Sequence, residues 1–379
     1  MKKSLLVLPT LSLALLSCSG GAPLTVGDYT VNLSIFSAEK QDVTIMQLTD
    51  IHWNMATDLD KQILYLETLV SKGNPDIIML TGDCCLVANT DNWTSLFQTM
   101  DSLKKNDGTH IYWGVVWGNH DRTGLYAPNY PSDLASSYSN AYYEYTKQNT
   151  DHYGIFADPD DDIQGRSNYV VNLLDEEGSI AWQLWGLDSN TDYYLGSHYS
   201  YDIIHEDQIE WFEDAAAETR NGGSNIPGLA FIHIPLLQTA MAYQSVLDGE
   251  SLAHGGELRE TPNEQHPLYG QLSPEACASY SGYKESGFYD AAKENGVVGI
   301  FYGHDHINDF WADYNDVLLA YGTKTGSELY YQTGLMGASM MRIHADGSFD
   351  FSSRPAVSSW QDDGPDYQQI LLGYEDLGL

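Results

Sequence analysis

The chain has 379 residues, 42% of them hydrophobic, enough for one large α/β domain or one domain with insertions. Its 53 Asp and Glu against 17 Lys and Arg give a formal charge of −36, which repels nucleic-acid backbones, so no nucleic-acid surface is expected and affinity for any anion must be local. Of the four cysteines, Cys18 falls in the N-terminal segment, and Cys84, Cys85 and Cys277 lack the spacing of a disulfide framework or a zinc knuckle; these three read as small buried residues, with a bridge from Cys277 to the Cys84-Cys85 pair left open.

The first residues read as a bacterial lipoprotein signal. Lys2 and Lys3 form a basic start, residues 5–16 are apolar, and Leu15-Leu16-Ser17-Cys18 precedes Ser19-Gly20-Gly21. The apolar stretch is shorter than the about 20 residues a transmembrane helix needs. Cleavage after residue 17 and acylation of Cys18 would leave an exported protein held by lipid to a membrane, periplasmic or at the cell surface, with its body in water. An ordinary cleaved signal peptide is the alternative. Loss of Lys2 and Lys3 takes the charge to about −38. Residues 18–36 then read as a tether and 37–379 as the folded domain.

Residues 43–48 form a strand that delivers Asp50 and His52 into a loop. Ile63, Leu64, Leu66, Leu69 and Val70 place a helix over 60–71, stopped by Gly73-Asn74-Pro75. A strand over 76–80 ends at Thr81-Gly82-Asp83, a helix covers 92–105, and a strand over 111–117 ends at Gly118-Asn119-His120-Asp121. This βαβαβ order predicts parallel strands with right-handed crossovers, their C-terminal ends on one edge, where open α/β sheets bind ligands. Residues 122–168, rich in Tyr, Ser, Asn and Asp, read as an insertion near that edge or as a solvated loop. The acidic run 158–162 lacks the spacing of a calcium loop.

Residues 169–174 and 179–187 flank a turn and begin a second, more antiparallel sheet. A helix over 206–219 carries Ile209, Phe212 and Ala216 on one side. A strand over 228–232 ends at His233, residues 236–286 read as a second irregular insertion, and a helix follows over 287–295. A strand over 297–302 delivers Gly303-His304-Asp305-His306. Strands over 317–321 and 340–352, the latter turning at Asp346-Gly347, close the chain.

Five Asp, Asn and His pieces therefore end five predicted strands in order. Over about 43–344 this series resembles the calcineurin-like metallophosphoesterase superfamily. The strings Leu187-Asp188-Ser189-Asn190, Gln208-Ile209-Glu210-Trp211-Phe212, Phe231-Ile232-His233-Ile234-Pro235-Leu236 and Gly303-His304-Asp305-His306-Ile307-Asn308-Asp309-Phe310 resemble the branch related to purple acid phosphatases. The resemblance implies a four-layer α-β-β-α sandwich of two mixed sheets with a dimetal site at strand C-terminal ends. It implies that Asp50, His52 and His306 hold one metal, that Asn119, His233 and His304 hold a second, and that Asp83 bridges. Mixed imidazole and oxygen ligands suit two divalent transition-metal ions, Mn, Zn or Fe.

By the same resemblance His120 faces the substrate and protonates the leaving oxygen or stabilises the transition state, with Asp121 orienting its imidazole. Asp305 reads either as support for the ligand histidines or as a turn residue, and Arg122 as a surface ion pair. The implied activity is hydrolysis of a small phosphorylated substrate by a metal-bridging hydroxide, with monoesters favoured; no protein partner is expected. A phosphodiesterase or nucleotidase on the same site, or a non-catalytic glycan-binding surface lipoprotein with tyrosine-rich insertions, are the alternatives. One departure bears on the metal: where purple acid phosphatases place an iron-binding tyrosine after the second Asp motif, this chain has Cys84-Cys85-Leu86-Val87, and it adds His52 to the first motif. An Fe(III) centre and a purple colour are therefore not expected.

Overall fold

The computed structural model describes residues 24–27, 29–87, 89–123, 152–157, 163–166, 168–195, 198–259, 286–331, 335–352, 360–361 and 364–365. The expected signal 1–17, Cys18, Cys277, the acidic run 158–162 and most of the tyrosine-rich stretch lie outside the described residues, as does the side chain of Arg122.

In chain order the elements begin with β1 (Leu24–Val26), β2 (Thr30–Ser34), β3 (Asp42–Leu48), α1 (Leu59–Gly73), β4 (Ile77–Thr81), α2 (Thr90–Ser102), β5 (Tyr112–Val116) and the single-turn α3 (Asn119–Thr123). There follow β6 (Tyr169–Leu174), β7 (Ile180–Gly186), the hairpin β8 (Asp192–Leu195) and β9 (His198–Tyr201), α4 (Glu206–Thr219), β10 (Gly228–Phe231), α5 (Leu237–Leu247) and β11 (His254–Gly255). The chain continues through α6 (Phe288–Glu294), β12 (Val297–Tyr302), β13 (Trp311–Tyr314), β14 (Val317–Tyr321), β15 (Ser339–His344) and β16 (Phe349–Ser352). Two mixed sheets result, one ordered β16-β15-β3-β4-β5 and the other β1-β2-β6-β7-β10-β12-β14-β13-β11. Strands β3, β4 and β5 are parallel, as are β7, β10, β12 and β14.

Side-chain alternation explains the layering. In β10, Leu229 and Phe231 join the core shared with the five-stranded sheet, while Ala230, and Ile232 just beyond the strand, join the core shared with α4, α5 and α6. The same division runs through β12 and β14, where Phe301 and Ala320 belong to the first core and Ile300, Tyr302, Leu319 and Tyr321 to the second. Strands apolar on both faces must be covered on both, so sheet packs on sheet and helices cover the outside.

Helix α1 starts where the Asp58 carboxylate accepts the Lys61 N–H and stops at left-handed Asn74 (φ 44°), ahead of Pro75. Helix α2 is capped by Asn89, whose side chain accepts the Asn92 N–H. A helix of 13 residues is marginal alone. Burial of Trp93, Leu96, Phe97 and Met100, contributing about 1.5–3 kcal/mol each, therefore decides that α2 forms against β5, where Trp93 meets Trp117 edge to face.

Several elements differ from the sequence expectation, among them the hairpin β8–β9 and strand β11. The tether over 18–36 contains strands β1 and β2, and β2 pairs in parallel with β6; Val31 and Leu33 are fully buried because their period-two spacing fits a sheet face. The second insertion opens with helix α5, whose sequence lacks a clear apolar stripe and whose place is set by packing on β13 and β14. Strand β13 was not anticipated; Asn315 and Asp316, at φ 50° and 69°, make the tight turn that folds it onto β14.

Candidate metal centre

Five strand ends converge. Strand β3 runs into Asp50 and His52, β4 into Asp83, β5 into Asn119 and His120, β10 into His233, and β12 into His304 and His306. Asp50, His52, Asp83 and His304 all have left-handed backbones, with φ of 50°, 49°, 49° and 78°. Such conformations cost about 1–3 kcal/mol each in non-glycine residues and persist only where surrounding bonds impose them. The packing is close enough to require the glycines of the motifs. A Cβ on Gly118 would lie 2.2 Å from Asp83 Oδ1, and one on Gly303 would lie 1.8 Å from Thr49 Oγ1.

Asp50, His52, Asp83 and His306 present ligand atoms within 4.8 Å of one another, and all four are buried. His52 Nε2 lies 3.2 Å from His306 Nε2, and Asp50 Oδ1 lies 3.3 Å from His306 Nε2. The other oxygen of Asp50 is fixed by the Thr49 hydroxyl (2.8 Å) and the His304 N–H (3.0 Å). A second group forms around Asn119, whose Oδ1 lies 3.1 Å from both His233 Nε2 and His304 Nδ1. Asp83 joins the two groups: its Oδ1 is 3.3 Å from His233 Nε2 and its Oδ2 is 3.9 Å from His52 Nε2.

Backbone carbonyls set the histidine tautomers. His233 Nδ1 donates to the Thr81 carbonyl (2.8 Å) and His306 Nδ1 to the Tyr330 carbonyl (2.9 Å), so Nε2 of each ring faces the centre. The geometry fits metal ions. Asp50 Oδ1 is buried with no hydrogen bond, an arrangement that is costly unless a cation completes it. Adjacent ligands at about 2.0–2.1 Å from one ion are about 3.0–3.4 Å apart, the spacing of the His52–His306, Asp50–His306, Asn119–His233, Asn119–His304 and Asp83–His233 pairs.

Electrostatics follow burial and charge. Burial alone would depress His233, yet the Asp83 carboxylate raises it to about 10. Burial opposes ionisation of Asp83, but His233 and His120 overcome it and hold the carboxyl well below its ordinary range. Burial, reinforced by His233, lowers His304 to about 3.

All seven expected metal ligands are thus brought together. His120 stands at their edge, 29% exposed, with Nε2 3.8 Å from Asp83 Oδ2. Asp121 does not orient it: Asp121 Oδ1 accepts the N–H groups of Cys84 and Cys85, and Oδ2 accepts the N–H of Gly118. Its short side chain points under the loops, where those amides converge. Asp305 holds the turn, accepting from Tyr321 Oη (2.6 Å) and Asn308 Nδ2 (3.2 Å). Cys84 and Cys85 are buried free thiols. Sequence reading missed Lys324, a buried ammonium whose Nζ donates to the Asp50 carbonyl at 2.9 Å. It missed also Tyr201 and Tyr330, whose rings lie against His304 and His306 with centroids 4.2 and 4.3 Å away. No motif surrounds these three.

A donor set of this kind at the C-terminal edge of a two-sheet α/β sandwich is that of a metal-dependent phosphoester hydrolase. The chain belongs to the calcineurin-like phosphoesterase family, whose model matches residues 43–308. Probable inactive purple acid phosphatase 28 of Arabidopsis thaliana is 26% identical over 333 residues, 79% of this chain and 74% of its own length. Phosphatase DCR2 of Saccharomyces cerevisiae is 26% identical over 271 residues, 68% of this chain but 41% of its own length. Among solved structures, GAP50, the anchor in the inner membrane complex of Plasmodium, aligns with a TM-score of 0.45 at 14% identity, covering 88% of this chain and 96% of that one.

Proposed function

We propose that this protein hydrolyses phosphate monoesters outside the cytoplasm, tethered by lipid on Cys18. The observation that carries the catalytic part is the convergence of two donor groups on the two oxygens of Asp83. The export part is supported by the basic start, the short apolar stretch and the Leu15-Leu16-Ser17-Cys18 sequence. Among the described residues no helix is long and apolar enough to cross a membrane.

Asp50, His52, Asp83 and His306 would hold one divalent ion, and Asp83, Asn119, His233 and His304 the other. When bound, such a pair supplies Lewis-acid charge for the phosphoryl oxygens and acidifies water, which suits a neutral-pH hydrolase in an acidic protein. The chain's own residues do the rest. Burial of the donors excludes bulk water from their bonds, and the Thr81 and Tyr330 carbonyls keep two imidazoles in register. His120, 29% exposed at the edge, would give a proton to the departing oxygen, and its backbone N–H donates to Asp83 Oδ1 (2.9 Å). The word inactive belongs to the plant relative's name; in this chain every donor is present and gathered.

Aryl phosphate and bis-aryl phosphodiester, assayed with protein loaded with Mn, Zn or Fe, test the reading. Faster turnover of the monoester is expected. Hydrolysis of neither ester with any of these metals would overturn the enzymatic reading, and faster diester cleavage would overturn the monoesterase reading.

A further inference from the structure

We propose that Tyr330 is a specificity-determining residue: its exposed ring forms an apolar shelf beside the Asp50-His52-His306 donors, so that the centre favours phosphoesters whose alcohol carries a flat aromatic group over aliphatic ones. The inference deepens the phosphoester reading and rests on it. After β14 the chain crosses from the larger sheet to the end of β3, where the Thr325 N–H donates to the Thr49 carbonyl (2.8 Å) and the Gly326 N–H to the Asp50 carbonyl (3.2 Å). A Cβ on Gly326 would lie 1.7 Å from the Ile51 carbonyl oxygen, so this segment is pressed against the ligand loop. Leu329 then has φ 64°, a left-handed conformation that a leucine keeps only where its surroundings impose it. Tyr330 follows and meets His306 twice. Its carbonyl accepts from Nδ1 (2.9 Å), and its ring stacks on the imidazole with centroids 4.3 Å apart and 26° between the planes.

The carbonyl alone sets the tautomer, and any residue would supply one, so the ring calls for a separate reason. Packing on His306 does not hide it: Tyr330 is 48% exposed, and Tyr331 beside it 37%. Exposed apolar side chains recur on the other donor loops, Met55 after His52 and Val87 after Asp83. The Asn92 side chain ties those two loops together, its Oδ1 accepting the Met55 N–H (3.0 Å) and its Nδ2 donating to the Val87 carbonyl (2.9 Å). At the second donor group the Tyr201 ring stands edge-on to His304, 4.2 Å away. Apolar groups left exposed around one polar site mark a place that a ligand covers, and ligand sites divide the work in this way: a few polar groups fix orientation while apolar and aromatic ones take up the remainder. A flat ring carried by a phosphoryl group at the donors gains apolar contact and offset stacking on Tyr330. A polyol gains neither, and gives up the hydration of its hydroxyls there.

Calorimetry of phenylphosphonate and ethylphosphonate binding to the full chain loaded with Zn(II) tests the preference without turnover. The wild type is expected to bind phenylphosphonate about three- to tenfold more tightly. Tyr330→Ala should bring the two affinities together, Tyr330→Leu, which keeps apolar bulk over His306, should narrow the gap, and Tyr330→Phe, which keeps the ring, should preserve it. Equal affinities in the wild type, or a preference undiminished in Tyr330→Leu or Tyr330→Ala, overturns the proposal and leaves the ring as support for His306 alone. The wild-type comparison stands even if a variant fails to fold or to hold zinc, which near-ultraviolet circular dichroism and metal analysis report. Binding of neither phosphonate by the zinc-loaded wild type would instead sink the phosphoester reading itself.

Discussion

His233 Nε2 stands 3.3 Å from Asp83 Oδ1, both side chains fully enclosed, so in the metal-free protein the two form a buried ion pair. The pair has a consequence for metal uptake. His233 is raised to about 10 and must lose its proton before Nε2 can serve as a ligand. Metal binding near neutral pH should therefore release about one proton from this residue, and affinity should rise with pH up to that value. Calorimetry of Zn(II) binding in buffers of different ionisation enthalpy measures the release; a pH-independent affinity with no proton release would contradict the pairing.

His120 is the titratable side chain of the Asn119-Asp121 motif that reaches solvent while staying near Asp83. His120→Ala should lower kcat by about 10²–10⁴-fold and leave bound metal unchanged. Steady-state kinetics together with metal analysis separate this from a ligand role, in which metal would be lost as well.

Asp121 accepts three backbone N–H groups, from Gly118, Cys84 and Cys85. Asp121→Ala strands those buried donors and should cost about 2–4 kcal/mol, more than one ordinary hydrogen bond. Urea denaturation should show a lower midpoint at an unchanged slope. A neutral result would mean the amides find other partners.

His344 bridges β15 to both of its neighbours, with Nδ1 2.7 Å from Asp42 Oδ1 and Nε2 3.2 Å from Asp350 Oδ2. The hydrogen bond to Asp42 raises it above its ordinary 6.5, against slight burial. A raised histidine contributes stability that is complete below 6.5 and lost as pH climbs through the folded value. The imidazole is partly buried but both carboxylates are exposed, so the effect is small and screened by salt. Melting temperature at low salt should fall across that window in the wild type, and His344→Gln should flatten the fall.

What sequence revealed, and what it did not, divides along physical lines. Asp50, Asp83, Asn119, His233 and His304 were legible because each follows an apolar strand, and strand ends on one edge must meet. Helix α1 was legible from its apolar spacing and from Asn74-Pro75. Strand β2 was hidden because only Val31 and Leu33 of Thr30–Ser34 are apolar, where β4 is apolar over nearly its whole length, and α5 by the lack of an apolar stripe. The tautomer-setting groups are main-chain carbonyls of Thr81 and Tyr330, which no side-chain pattern marks. Lys324 is distant in sequence from every ligand and reaches Asp50 only because β14 ends beside β3. The expected bond between Asp121 and the His120 ring failed because backbone amides close under the loop and claim both carboxylate oxygens.

Metal content of the folded chain tests the central assignment most directly. Metal-free protein incubated with excess Zn(II) or Mn(II) and desalted should retain two ions per chain, and Asp83→Ala, which removes both oxygens that join the donor groups, should lose affinity for both ions together. Retention of a single ion by the wild type, or two ions held undiminished by Asp83→Ala, would contradict a dinuclear centre joined at Asp83.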